Sequence, residues 1–299
     1  MRDIKVVRFD EPFQRLLTQG MVCKETWKCP TDGWLFPEQV KDGRCLLCNG
    51  EVVRGRTEKM SKSRKNVVTP DDITAKYGAD TARVFSLFAA PPEKDIEWSD
   101  QGVEGSYRFL NRLWNLVYNN LDCINTPETT AKGKIFRKTH QTIKKVTTSI
   151  EKDYHFNTGI AALMELLNDL SAFRPATEED RAAMGMALKS LILLLAPFAP
   201  HLCEELWVVA GEKSSVFNHP WPQWDELATK EEEIELVIQV DGKLRAKQMI
   251  SADLPDDDKK EIALGNAKVQ EYIRGKNIKN ILVVRGRLVS IATSGDSIA

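Results

Sequence analysis

Lys59-Met60-Ser61-Lys62-Ser63, continued by Arg64-Lys65-Asn66, is the stretch on which the reading of this chain turns. Two lysines and two serines in five residues suit a polyphosphate. The ammonium groups neutralise charge, while hydroxyls and backbone N–H groups donate hydrogen bonds. Small polar residues also leave the segment free to move. The surroundings are basic, with Arg54, Arg56, Lys59, Lys62, Arg64 and Lys65 against the single acid Glu58. Taken alone, a run of this composition is more commonly a solvated loop, so its flanks have to decide.

Upstream stand Cys29-Pro-Thr-Asp32-Gly33 and Cys45-Leu-Leu-Cys48-Asn-Gly50, which look like two halves of a zinc ribbon. Cys45 and Cys48 have the C-x-x-C spacing with which two thiolates grip one tetrahedral ion. The partner expected beside Cys29 falls at Asp32. Cys23 completes a four-cysteine set, or Asp32 donates an oxygen, or the ribbon has decayed and is held by Trp27, Trp34, Leu35 and Phe36. A Zn2+ at Cys29, Cys45, Cys48 and Cys23 would be structural. Cys123 and Cys203 sit in apolar helical settings and read as packing residues.

Downstream the period is helical. Val103, Tyr107, Leu110, Trp114, Val117 and Leu121 form an amphipathic stripe, and Ile160, Leu163, Met164, Leu167 and Leu170 form another with Asn157 as N-cap. Thr177-Glu-Glu-Asp180 reads as a capping box opening a helix that ends before Pro197; Pro200 opens the next, ending at Gly211. Trp114 and Trp207 lie on apolar stripes and read as core, and His201, after a proline at a helix start, reads as structural. The acidic stretch Asp225 to Glu235 reads as a solvated linker. Beyond it, Ile234–Val240, a turn at Asp241-Gly242, and Lys243–Ile250 read as a hairpin. A helix broken near Gly265 follows, then a second hairpin around Arg285-Gly286-Arg287. The expected fold is multidomain α+β: residues 1–98, a bundle over 99–225, a linker at 226–233, and a small α+β domain over 234–293.

Whole-chain numbers exclude several classes. The formal net charge of −1 rules out a polybasic protein, though not a local nucleic-acid surface. With 42% hydrophobic and 28% charged residues, the 299-residue chain is globular rather than disordered. Six cysteines are too sparse for a disulfide scaffold. The most apolar run, Leu191 to Ala196, falls far short of the ~20 residues of a membrane span. Met1-Arg-Asp-Ile-Lys5 lacks the apolar core of a signal peptide. A cytoplasmic protein without a membrane partner is expected.

Lys-Met-Ser-Lys-Ser is the signature loop of class I aminoacyl-tRNA synthetases, and Lys59–Ser63 matches it residue for residue. Thr69-Pro70-Asp71-Asp72 and Tyr77-Gly78-Ala79-Asp80-Thr81-Ala82-Arg83 resemble the segment joining catalytic domain to bundle in that class. Leu195-Ala-Pro-Phe-Ala-Pro-His201-Leu-Cys-Glu-Glu-Leu-Trp207, with Trp221-Pro222 after it, resembles the bundle of the leucyl, isoleucyl, valyl and methionyl enzymes. Lys65-Asn66 where isoleucyl and methionyl enzymes usually have Gly-Asn, Glu97-Trp98 through Arg112, and Gln239-Val-Asp-Gly242-Lys-Leu-Arg245 with Gly275-Lys276 and Val289 are similar to leucyl enzymes of bacterial type.

The resemblance implies the end of a Rossmann-like catalytic domain, with ATP and Mg2+ as cofactors and leucine and tRNA(Leu) as partners. It assigns ATP binding to Lys59, Met60, Ser61, Lys62 and Ser63, with Lys62 the first catalytic residue and Lys59 the second. Arg108 and Arg112, one turn apart, face the tRNA backbone or solvent. Lys243, Arg245, Lys247, Arg285 and Arg287 cluster at two hairpins, either as phosphate contacts or as a solvated edge that guards against aggregation. One departure is large. The class holds ATP with a second signature, His-x-Gly-His, and none of the four histidines, His140, His155, His201 and His219, lies in it. The expectation is therefore the C-terminal part of a synthetase, inactive without an N-terminal half that carries that signature and the editing part. A non-catalytic tRNA-binding or assembly subunit, and a methionyl or valyl enzyme, are the alternatives.

Overall fold

The computed structural model describes residues 1–294 other than 12, 14, 15, 153, 231, 232 and 253. The chain divides at Thr229/Lys230 into two units.

The first unit begins with β1 (Val22–Cys29), β2 (Gly33–Leu35), β3 (Val40–Lys41), β4 (Arg44–Cys45) and β5 (Val53–Lys59). Antiparallel β5 pairs along one edge of β1, with Cys23 opposite Lys59 and Lys24 opposite Glu58. Antiparallel β2 and the parallel two-residue β6 (Ile96–Glu97) share the other edge. Gly55 permits the close pairing: a Cβ there would stand 2.3 Å from Thr26 Oγ1. β3 and β4 form a separate small hairpin.

Helices α1 (Pro70–Tyr77) and α2 (Ala79–Phe88) lead to α3 (Asp100–Tyr118), α4 (Leu121–Ile124), α5 (Gly133–Glu151), α6 (Phe156–Ala172), α7 (Glu178–Leu195) and α8 (Pro200–Val209). The buried core lies among them. α7 is buried nearly all round, through Ala182, Ala183, Met184, Ala187, Leu188, Leu191, Ile192, Leu194 and Leu195. A helix without a polar face belongs at the centre of a bundle. Gly185 lets α7 touch α4, since a Cβ would lie 2.1 Å from the Cys123 carbonyl oxygen. The capping box forms: Asp180 N–H donates to Thr177 Oγ1 and Thr177 N–H to Asp180 Oδ2, both at 3.1 Å. Ala176 N–H, which also donates to Asp180 Oδ2 at 3.1 Å, and Thr177 N–H hold the Asp180 carboxyl below its usual range. Pro197 and Pro200 separate α7 from α8, and Cys123 and Cys203 are buried as packing residues.

Two local expectations are corrected. The N-cap position of α6 is His155, not Asn157, and the His155 side chain makes no capping hydrogen bond; Tyr154 before it has φ 51°, and Asn157 Oδ1 is buried without a hydrogen-bond partner among the described residues. The start of the acidic stretch is also not free linker. Glu226 accepts from Lys144 Nζ at 2.7 Å and from Trp224 Nε1 at 3.0 Å, and Asp225 N–H donates to His140 Nδ1 at 3.0 Å. These bonds fasten residues 224–229 to the bundle. Glu231 and Glu232 lie outside the described residues.

The second unit is a four-stranded sheet of order β8-β7-β10-β9, made from β7 (Glu233–Val240), β8 (Lys243–Ser251), β9 (Ile278–Val284) and β10 (Leu288–Thr293), with α9 (Asp256–Gly265) and α10 (Ala267–Ile273) between the hairpins. β7 and β10 are parallel, so the chain needs a crossover, which the two helices supply. Ile234, Leu236, Ile238, Val240, Val289 and Ile291 pack against Ala263, Val269 and Ile273. Asp241 and Gly242 both have positive φ, 50° and 75°, the turn that matches strand twist. Among the described residues no helix is long and apolar enough to cross a membrane.

Candidate functional site

The Lys59–Ser63 loop grows out of the β1–β5 pair. Met60 N–H continues the ladder onto the Val22 carbonyl at 2.9 Å. The chain then makes one 3-10 turn over Lys62–Arg64, closed by Arg64 N–H on the Ser61 carbonyl at 3.1 Å. Ser61 Oγ and Ser63 Oγ lie 2.7 Å apart. Lys65 ends the turn in the left-handed region, at φ 53°. Asn66 is 1% exposed. Its Nδ2 donates to the Lys24 carbonyl at 3.0 Å and the Glu58 carbonyl at 3.2 Å, and its Oδ1 accepts from Ser61 N–H at 2.9 Å.

The basic residues of the loop divide into two groups. The Arg64 guanidinium lies over the Trp34 ring at 4.4 Å from its centroid and 3.5 Å from Glu58 Oε2. Lys65 Nζ lies over the Phe36 ring at 5.5 Å. Lys59 and Lys62 are exposed and, among the described residues, form no ion pair. Two ammonium groups, and the one hydroxyl donor that the Ser61–Ser63 bond leaves over, thus remain for an anionic ligand. The sequence identifies Lys59–Ser63, but Asn66 entered only as a family discriminator, and no local pattern marks it as the residue beneath the loop.

The cysteine cluster is compact. Cys29, Asp32, Cys45 and Cys48 each bring one ligand atom within 4.8 Å of the others. Cys29 Sγ lies 3.4 Å from Cys48 Sγ and 3.4 Å from Asp32 Oδ2, and Cys45 Sγ lies 3.2 Å from the same oxygen. Tetrahedral zinc with Zn–S bonds of about 2.3 Å puts sulfurs about 3.8 Å apart, so three thiols and one carboxylate oxygen at these separations fit one ion. Cys23 is not in the set. It pairs with Lys59 at the other end of β1, and six steps of about 3.3 Å along the strand separate it from Cys29 by roughly 20 Å. Asp32 takes the fourth place because the turn after β1 folds it back onto the thiols. Donation from the Cys48 and Cys45 thiols holds the Asp32 carboxyl below its usual range, and the same carboxylate pushes Cys48 up to about 12. Trp34 and Phe36, over whose rings Arg64 and Lys65 lie, come in sequence between Asp32 and the β3–β4 hairpin of this ribbon.

In the bundle, Arg108 Nη1 lies 3.8 Å from Glu104 Oε2, while Arg112 Nη2 donates to Asn168 Oδ1 at 2.8 Å and Ser171 Oγ at 3.3 Å. Arg112 therefore bridges α3 and α6. His201 Nδ1 is 2.8 Å from Asp80 Oδ1, and Leu202 N–H donates to Asp80 Oδ2 at 2.7 Å, so this pair caps α8. A 480 Å³ cleft beside it is lined by Tyr77, Tyr107, Asn111 and Trp114. In the second unit Lys243, Arg285 and Arg287 are exposed, Lys247 pairs with Glu235 at 2.8 Å, and the Arg245 guanidinium stacks on Tyr272 at 3.7 Å.

Comparison with known proteins agrees along nearly the whole chain. Residues 42–99 match the model of tRNA synthetases class I (I, L, M and V), and residues 133–262 match the anticodon-binding domain of tRNA ligase. The leucine--tRNA ligase of Syntrophus aciditrophicus (strain SB) is 47% identical over 99% of this chain and 36% of its own length. That of Desulfatibacillum aliphaticivorans is 45% identical over 97% of this chain and 36% of its own length. The structure is similar to the crystal structure of the ternary complex of Agrobacterium radiobacter K84 agnB2 LeuRS with tRNA and LeuAMS, with TM-score 0.68 and 29% identity over 98% of this chain and 34% of that one. The chain thus spans about a third of the length of the curated relatives it matches.

Proposed function

Because the chain belongs to the leucine--tRNA ligase family, whose C-terminal portion it matches, we propose that it supplies the phosphate-handling loop and the tRNA-binding parts of an enzyme that charges tRNA(Leu) with leucine in the cytoplasm. The observation that carries this is the loop itself: among the described residues Lys59, at the end of β5, and Lys62, in the turn, form no ion pair, while Arg64 and Lys65 lie over Trp34 and Phe36.

In adenylate formation the leucine carboxylate attacks the α-phosphate of ATP in line, and charge builds on the departing pyrophosphate. Lys62 stabilises that charge more in the transition state than in the ground state, with Lys59 in support. Ser61 and Ser63 hydrogen-bond to each other at 2.7 Å, which uses one of their two O–H donors and leaves the other for a phosphate oxygen. Mg2+ bound with ATP supplies further neutralisation of the phosphates. The bundle, including Arg108, holds the body of the tRNA, and the exposed bases of the second unit hold its outer corner. A structural zinc on Cys29, Asp32, Cys45 and Cys48 would stiffen the ribbon beside the loop.

Two expected results test this reading. A polypeptide of these 299 residues alone gives no leucine-dependent ATP–pyrophosphate exchange, since none of its histidines lies in His-x-Gly-His, yet it binds tRNA(Leu). Exchange by the purified chain alone, or no binding of that tRNA at low salt, contradicts it. Metal analysis finds a single zinc per chain, retained in Cys23→Ser and lost in Cys45→Ser. Retention in both Cys45→Ser and Cys48→Ser refutes the four-residue site.

A further inference from the structure

We propose that Asn66 is the positioning residue of the loop: its buried amide locks Ser61 to the β1–β5 pair and thereby aims Lys62. This rests on the reading of Lys59–Ser63 as the pyrophosphate-stabilising loop.

Three features of the geometry carry it. First, the amide is shared between three pieces of backbone. Nδ2 bonds to β1 through the Lys24 carbonyl and to β5 through the Glu58 carbonyl, and Oδ1 bonds to Ser61 N–H within the loop. Lys24 and Glu58 face each other across the pair, one rung in from Cys23 and Lys59, so one side chain ties the end of the ladder to the first turn of the loop. Second, the chemistry is specific to a short amide. A single planar group that donates at one end and accepts at the other is needed at this length. Aspartate keeps the acceptor but sets an oxygen against two carbonyl oxygens, and alanine removes all three bonds, including the acceptor of Ser61 N–H. Third, the backbone is bent to bring the amide there. Lys65 adopts φ 53° and ψ 30°, a region a side chain larger than glycine rarely enters, and its neighbour Asn66 ends 1% exposed beneath the turn.

The exposed side of the loop is held differently. Arg64 and Lys65 lie against Trp34 and Phe36, which draws their charges away from Lys62. Asn66 fixes the root of the turn and the aromatic rings fix its far end. Lys62, at the start of the turn between them, inherits its direction from both. A charged group misplaced by about 1 Å loses about a hundredfold in rate, so the root bond is expected to matter for the reaction and little for ATP affinity.

The test uses the enzyme completed by joining this chain to the N-terminal portion of a relative, with single-turnover adenylate formation measured over a range of ATP concentrations. Asn66→Ala is expected to slow the step about tenfold or more with the apparent ATP dissociation constant nearly unchanged. Asn66→Asp, a second variant should alanine fold poorly, is expected to be at least as slow. The decisive arm is the cycle with Lys62→Ala. If Asn66 acts through Lys62, adding Asn66→Ala to Lys62→Ala costs less than about twofold. Slowing that is fully additive, or a change confined to the ATP dissociation constant, overturns the inference. So does an Asn66→Ala enzyme at full rate when Lys62→Ala is slow. A Lys62→Ala enzyme at full rate overturns the underlying reading of the loop instead.

Discussion

Lys62→Ala in the completed enzyme is expected to slow adenylate formation roughly a hundredfold while shifting the apparent ATP dissociation constant little. The comparison is the loss of one donor aimed at charge that develops during reaction, which typically costs two to three orders of magnitude. The pyrophosphate gains charge as its bond to the α-phosphate breaks, so an ammonium placed at it lowers the barrier more than it tightens binding. Lys62→Arg is expected to recover only part of the rate, because a planar fork does not replace a compact ammonium. Arg64→Ala and Lys65→Ala should cost less, since those cations lie against Trp34 and Phe36 rather than toward a ligand. Single-turnover kinetics separates the outcomes. A rise in the ATP dissociation constant alone makes Lys62 a ground-state anchor, and no change in either parameter makes the loop a solvated basic turn.

Removal of residues 230–299 is expected to weaken tRNA(Leu) binding by about tenfold or more at low salt while leaving the bundle folded. The cut falls at the boundary between the two units. The bundle core is built from residues no later than Val216, with Trp221 and Trp224 packed on it, so the deletion removes none of its residues. What is lost is a set of exposed bases on two hairpins, Lys243, Lys247, Arg285 and Arg287, with the half-buried Arg245 on the same strand as the first two. If about three of these touch phosphates, the slope of log affinity against log salt falls by about 2 to 3. Titrations at several salt concentrations measure that slope. An unchanged dissociation constant at low salt removes the second unit from the tRNA surface, and loss of the bundle's thermal transition shows that the units are not separable.

What was legible in the sequence was what depends on neighbours along the chain. The Lys59–Ser63 run, the C-x-x-C knuckle, the Thr177 capping box and the Asp241-Gly242 turn are all local patterns; the capping box and the turn form where expected, and Cys45 and Cys48 lie in one cluster with Cys29 and Asp32. The fourth donor of the cysteine cluster was not local. Spacing could not separate Cys23 from Asp32, because the answer depends on where β1 ends: Cys23 lies in the strand and Asp32 in the turn beyond it. α5 was hidden for another reason. Its buried face includes Thr139, Thr142 and Thr147, which satisfy their hydroxyls on carbonyls four residues back at 2.8 Å and so sit in the core as polar residues. Arg112 looked like a free surface base until α6 was placed beside it. Asn66 required the register of β1 against β5, which no window of sequence contains.

The most direct test of the central claim is leucine-dependent ATP–pyrophosphate exchange by this chain supplied with the N-terminal portion of a relative, joined or in trans. The prediction is exchange from the combination, none from either part alone, and loss of roughly a hundredfold when the chain carries Lys62→Ala. Full exchange from the N-terminal portion alone, or from the combination with Lys62→Ala, would contradict the assignment of this loop to the chemistry and leave the chain a tRNA-binding module.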